Sequence, residues 1–152
     1  MDLQKEQAFT LLNSLTTGDV SLLAELLDPA FEEVEPPKAV AKGLQGLQEK
    51  LSLFHQVHGN VTLKLFKQIA QNNAVCSQWL LTATIKDPGL PEGEAAQVVR
   101  MPGVSWTYFV NGKIIKNRIY GDMVGYLQQR GYRWANTGMD GGASAAQAME
   151  TQ

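Results

Sequence analysis

Cysteine is nearly missing from this chain: Cys76 is the only one among 152 residues. A single cysteine cannot close an internal disulfide, so no covalent framework braces the fold. Long apolar runs are missing too. None approaches the roughly 20 residues that a membrane-spanning helix needs, and no membrane partner is expected. There is no basic cluster, and the formal net charge is −2. A nucleic-acid groove would gather positive charge in a patch or stripe, so no nucleic-acid partner is expected. The opening residues, Met1-Asp2-Leu3-Gln4-Lys5-Glu6, are polar and acidic where an export signal is basic and then apolar. The expected location is the cytoplasm.

What is present suits one domain with a real core, since 44% of the residues are hydrophobic and only 18% charged. Ala8, Leu11, Leu12 and Leu15 form a helical stripe over 3–17, ended by Gly18-Asp19. Leu22, Leu23, Leu26 and Leu27 predict a second, short helix stopped by Asp28-Pro29. Residues 30–35 read as a short strand cut by Pro36-Pro37. Leu44, Leu47, Leu51 and Phe54 predict a third helix over about 44–57.

From residue 60 the period shortens. Residues 60–70 and 74–85 are β-rich runs joined by Gln71-Asn72-Asn73. A Pro/Gly loop follows over 87–94. Residues 97–110 and 113–120 flank Asn111-Gly112, the dipeptide that favours a two-residue hairpin turn. A last short helix is expected over 123–130. The domain is placed at 1–134. The tail, 135–152, is small and polar and is expected to be mobile. The order predicts an α+β fold: a strongly twisted antiparallel sheet with three N-terminal helices packed on one face.

A turn at Asn111-Gly112 pairs Val110 with Lys113 and, by simple extension, Ser105 with Arg118 and Met101 with Asp122. One face then holds Met101, Ser105, Thr107, Phe109, Ile114, Arg118, Tyr120 and Asp122. The other holds Val104, Trp106, Tyr108, Val110, Ile115, Asn117 and Ile119. Helices cover only one face. Trp106, Tyr108 and Ile119 would leave a large apolar patch on the other, so a homodimer through it is expected, the alternative cover being a loop or the C-terminal tail folded over it.

The run from Gly112 to Tyr132 resembles the closing signature of the SnoaL-like polyketide cyclases. Gly112-Lys113-Ile114, Arg118, Tyr120, Asp122 and Gln129 match it, and Arg130 replaces a leucine before Gly131. Gly18-Asp19, residues 28–31, Gly43, residues 74–79 and residues 99–104 fit earlier parts of the pattern, over roughly 5–132. The wider superfamily has the fold of nuclear transport factor 2 and ketosteroid isomerase, which implies a cone-shaped, curved antiparallel sheet with the three N-terminal helices on its concave face. The resemblance implies a small hydrophobic substrate and a place in natural product biosynthesis. It implies an intramolecular aldol ring closure with no metal or organic cofactor, and Asp122 as the acid/base.

Each candidate also has a plainer reading. Asp122 precedes Met123 where a helix begins, and aspartate is a favoured N-cap. Arg118 and Tyr120 are expected as orienting groups, but an inward Arg118 needs a partner such as Glu33 or Glu35. Glu35-Pro36 is a loose match to the Asp-Pro that carries the base of ketosteroid isomerases. That family's two oxyanion donors fall here on Leu11 and Met101, so the isomerase mechanism lacks its electrophilic half. His55 and His58 are auxiliary catalytic candidates or packed histidines; their spacing alone is no metal site. Trp79, Phe31, Met101 and Phe109 complete the expected lining of an apolar pocket. The alternatives to a cyclase are a non-catalytic ligand-binding or dimerisation module, and an isomerase, dehydratase or epoxide hydrolase.

Overall fold

The computed structural model describes residues 2–86, 96–134 and 149–151, in two units, Met1–Gly121 and Asp122–Gln152. The loop predicted over 87–94 and most of the predicted tail, 135–148 and 152, lie outside the described residues.

In the first unit, helix α1 runs Asp2–Thr17 and buries Ala8, Leu11 and Leu12. Gly18 ends it at φ +71, with its N–H on the Ser14 carbonyl at 2.8 Å. This left-handed closure suits glycine. The predicted second helix does not form. Only a single 3-10 turn, Ser21–Leu23, appears, started by the Asp19 carboxylate accepting the Ser21 N–H at 2.9 Å. The bonds from the Ser21 N–H and then the Ser21 side chain hold the Asp19 carboxyl below its ordinary value. The stretch before Pro29 is too short to offset helix nucleation, and Leu22 points outward, 74% exposed.

Strand β1 takes over at once, Leu27–Val34, followed by β2, Ala41–Lys42, and helix α2, Gly43–Val57. Four long strands follow: β3 His58–Gln71, β4 Ala74–Ile85, β5 Val98–Val110 and β6 Lys113–Gly121. Both hairpin turns are left-handed at two successive residues, Asn72-Asn73 and Asn111-Gly112. That conformation matches the twist of the strands it joins. The sheet order is β2-β1-β6-β5-β4-β3. β1 lies parallel to β6 while the other neighbours are antiparallel, so the sheet is mixed rather than wholly antiparallel.

One bulge changes which residues face inward. Val110 pairs with Lys113 and Phe109 with Ile114 as expected, but Tyr108 pairs with Lys116, leaving Ile115 as an extra residue in β6. Beyond it the register is Trp106 with Arg118 and Ser105 with Ile119, not Ser105 with Arg118. A one-residue shift turns every later side chain over. Asn117 and Ile119 are therefore buried with Met101, Ser105, Thr107, Phe109 and Ile114. Arg118 is only half-buried and Tyr120 is exposed.

The face bearing the buried residues is the one α1 and α2 cover. Its main apolar cluster joins Ala8, Leu11, Leu23, Phe31, Leu47, Leu51, Val75, Phe109 and Ile114. In the second unit, α3 runs Met123–Gln129, and β7, Tyr132–Trp134, pairs antiparallel with β8, Met149–Thr151.

Candidate functional site

The inner face of the sheet carries three rows of residues across neighbouring strands, the third of which starts in the apolar cluster at Val75. In the first row Leu65, Trp79, Gly103 and Gly121 are register partners on β3 to β6. Trp79 is 1% exposed, and its indole N–H donates to the Ser105 hydroxyl at 2.9 Å. Met101 and Ile119 are buried as well.

The second row is polar. Gln68, Ser77, Ser105 and Ile119 are partners, and the Gln68 amide donates to the Ser77 hydroxyl at 3.1 Å. The third row, Val75, Thr107, Asn117 and Glu33, ends in charge. The Thr107 hydroxyl donates to Asn117 Oδ1 at 2.9 Å, and Asn117 Nδ2 donates to Glu33 Oε1 at 3.0 Å. Lys50 of α2 then bridges two buried carboxylates, 2.7 Å from Glu33 Oε2 and 2.6 Å from Glu35 Oε1. The more exposed Lys38 reaches Glu35 Oε2 at 3.3 Å. Burial alone would push the Lys50 ammonium down; the fields of Glu33 and Glu35 together outweigh it, and the net shift is upward. Every oxygen of the two carboxylates has a partner, as buried charge requires.

The expected site residues do not all meet. Trp79 and Met101 lie on the inner face, and Glu35 sits in the charge network. Phe31 and Phe109 belong to the apolar cluster. Arg118 and Tyr120 sit in the outward phase of β6, and the carboxylates expected to hold Arg118 are taken by Lys50. His55 Nε2–H donates to the Leu15 carbonyl at 2.7 Å, tying α2 to the last turn of α1. His58 is buried, stacks on Phe54 at 4.2 Å, and donates from Nδ1 to the Phe54 carbonyl at 2.9 Å. Asp122 is exposed and is the N-cap of α3: its Oδ1 accepts the Gly125 N–H at 2.9 Å. Among the described residues no group of three or more His, Cys, Asp or Glu is placed to hold a metal ion. No helix among them is long and apolar enough to cross a membrane.

Sequence reasoning passed over Lys50, Gly103 and Gly121, and it assigned Asn117, here buried, to the outer face. Lys50 left a signal, because it falls three residues after Leu47 on the apolar stripe of α2. A charge on that stripe needs a buried partner.

Comparison with known proteins adds the lineage. The family model described as SnoaL-like polyketide cyclase matches residues 6–130. Solved structures give the same architecture. A candidate SnoaL-like polyketide cyclase from Jannaschia Sp. CCS1 has a TM-score of 0.71 at 15% identity, covering 84% of this chain and 91% of that one. IdmH, a candidate polyketide cyclase from Streptomyces antibioticus, has a TM-score of 0.69 at 17% identity, covering 84% and 98%. AclR, a candidate hydroxylase from Streptomyces galilaeus, has a TM-score of 0.68 at 18% identity, covering 85% of each chain. At these identities the likeness establishes the fold, that of nuclear transport factor 2 and ketosteroid isomerase, and no activity. No curated protein matches the chain by sequence.

Proposed function

Since the chain belongs to the SnoaL-like polyketide cyclase family, we propose that it is a cofactor-independent enzyme that closes a ring by aldol chemistry. Its substrate is a small, mostly apolar molecule bearing two carbonyl groups. A base removes a proton from carbon beside one carbonyl. The resulting enolate carbon bonds to the second carbonyl carbon, and the new alkoxide takes up a proton. The product is an isomer of the substrate, so no oxidant or co-reactant enters. Asp122 is the group proposed to carry the proton. The observation behind this choice is that the family match runs through the segment holding Arg118, Tyr120 and Asp122. The cap engages Oδ1, and Oδ2 is the oxygen proposed for transfer.

Asp122→Asn is the discriminating change. Asparagine caps a helix about as well as aspartate, so the fold should hold. Turnover of a polycarbonyl substrate should fall about 10²–10⁴-fold, the usual worth of general acid–base catalysis, with binding kept. Unchanged turnover in a folded Asp122→Asn protein would sink the assignment. A second reading, a non-catalytic ligand-binding module, draws on the same cap: an exposed carboxylate already bound to Gly125 N–H has structural work without chemistry. It predicts ligand binding with no turnover in the native protein.

We also propose a homodimer, with its surface redrawn. Ile119 is turned inward by the bulge and leaves the patch. The outer row now runs Ile69, Cys76, Trp106, Arg118 and Val34. Trp106 is 38% exposed and stacks on Tyr108, with ring centroids 6.4 Å apart. Sedimentation should show a dimer at micromolar concentration that Trp106→Glu converts to monomer. A monomeric native protein would count against it. We also propose a cytoplasmic setting.

A further inference from the structure

Strand β6 turns two cations outward at alternate positions, Lys116 and Arg118. Both are half-buried. Their register partners on β5 are Tyr108 and Trp106, the stacked pair of the outer face. Arg118 is left without the acid expected for it, because Lys50 takes Glu33 and Glu35. A carboxylate does lie beside the two cations: Glu32 of β1 is the register partner of Lys116. Yet among the described residues no ion pair joins Glu32 to either of them, and the Arg118 guanidinium makes no hydrogen bond.

This face is the one on which a second copy is proposed to dock, and the inference rests on that reading. Water serves an uncovered arginine, but covering it strips the water away and calls for an acceptor in its place. A two-fold axis sets the same patch against itself. Two copies would bring four cations, Lys116 and Arg118 from each, against two Glu32 carboxylates, an excess of two positive charges. We propose that Lys116 and Arg118 of both copies hold a doubly charged oxyanion of the phosphate class between them, so that the dimer is complete with the anion in place. The two positions are roughly 7 Å apart, at about 3.3 Å per strand residue, and their long side chains can converge on one anion. The planar fork of arginine matches two oxygens at once, and the lysine ammonium adds a point charge. Once the second copy covers Trp106 and Tyr108, water is kept from the site, which strengthens each charged contact.

Sedimentation equilibrium of the full chain tests this, with inorganic phosphate exchanged for chloride at constant ionic strength. An anion that binds the dimer and not the monomer tightens the dimer by mass action, about tenfold when phosphate stands at about ten times its own dissociation constant. Arg118→Gln should abolish that response. In chloride it should leave the dimer as tight as native or tighter, because it removes like-charge repulsion. Arg118→Lys keeps the charge and loses the fork, so it should retain a weaker response. Glu32→Gln should enlarge the response, since it removes the carboxylate that offsets the cations. A native dimer equally tight in phosphate and in chloride overturns the anion site and leaves the dimer standing. A Glu32→Gln protein that no longer dimerises in either buffer overturns the site as well, because the balancing charge would then be the second copy's own carboxylate. A native protein that is monomeric in both buffers removes the dimer reading, and this site with it.

Discussion

Lys50 and Leu51 are neighbours on α2, and they enter two different interiors. Leu51 joins the apolar cluster with Phe31, Val75 and Phe109. Lys50 enters the polar row, between Glu33 and Glu35. The apolar cluster is held by burial, which is non-directional and roughly proportional to area. Several side chains of similar volume would serve there. The polar row is held by directed bonds in which each member has assigned partners. Removing one leaves buried groups unsatisfied. The difference bears on register. Nothing in the apolar cluster distinguishes an inward Asn117 from an inward Arg118, but the polar row does. Asn117 both accepts from Thr107 and donates to Glu33. An arginine has no acceptor to offer Thr107.

The sharpest way to break the comparison is to remove the cation that bridges both carboxylates. Lys50→Met should cost about 3–5 kcal/mol, because it leaves buried Glu33 with only the Asn117 amide and buried Glu35 with only the more exposed Lys38. Leu51→Ala should cost about 2–5 kcal/mol by loss of contact and cavity formation. Urea unfolding measures both, and a third protein separates the mechanisms. Adding Glu33→Gln and Glu35→Gln to Lys50→Met should restore most of the loss, while the same pair should leave the Leu51→Ala cost unrepaired. If Lys50→Met is as mild as a surface change, the network contributes little and register must be set elsewhere.

A smaller effect comes from pH. The Lys50 pKa is raised in the folded protein. A group of that kind stabilises fully below its unfolded value, about 10.4, and loses its contribution as pH climbs through the folded value. The stability gap between the native protein and Lys50→Met should therefore be constant from about pH 7 to pH 10 and shrink above that. The gap for Leu51→Ala should not depend on pH. A Lys50 gap that widens toward alkaline pH would contradict the sign.

Much of this architecture was legible in the sequence. The period of α1 and α2 follows from leucine spacing, and Asn111-Gly112 marks its hairpin through left-handed backbone alone. What could not be read has physical causes. Ile114 and Ile115 are both apolar, and Asn117 and Arg118 are both polar, so two phases of β6 look alike in the sequence. Glu33, brought alongside by a parallel pairing far along the chain, breaks the tie. The helix expected near Leu22 had the right stripe and too little length. Trp79 and Met101 were legible as inward residues from strand alternation. The glycines beneath them were not, because a missing side chain leaves no pattern. Asp122 was legible both as a cap and as a site residue, and the cap is the role the geometry displays.

The smallest expected effect concerns that cap and lies in the second unit. Gly125 is in the first turn of α3, where alanine in place of glycine normally stabilises a helix by about 0.8–1 kcal/mol. Here a Cβ on Gly125 would overlap the Asp122 carboxylate, which is folded over the turn to reach Gly125 N–H. Gly125→Ala should displace that carboxylate and forfeit a cap worth about 1 kcal/mol. The two terms oppose each other and are of similar size, so the single change should be close to neutral. A cycle exposes what the single change hides. Asp122→Ala alone should cost about 1 kcal/mol. In that background the carboxylate no longer occupies the space over Gly125, so Gly125→Ala should deliver its helical gain. The coupling between the two positions should thus approach about 1 kcal/mol, read by hydrogen exchange of the α3 amides. Additive behaviour would mean that the carboxylate is not held by the turn. Asp122 would then be free of the cap.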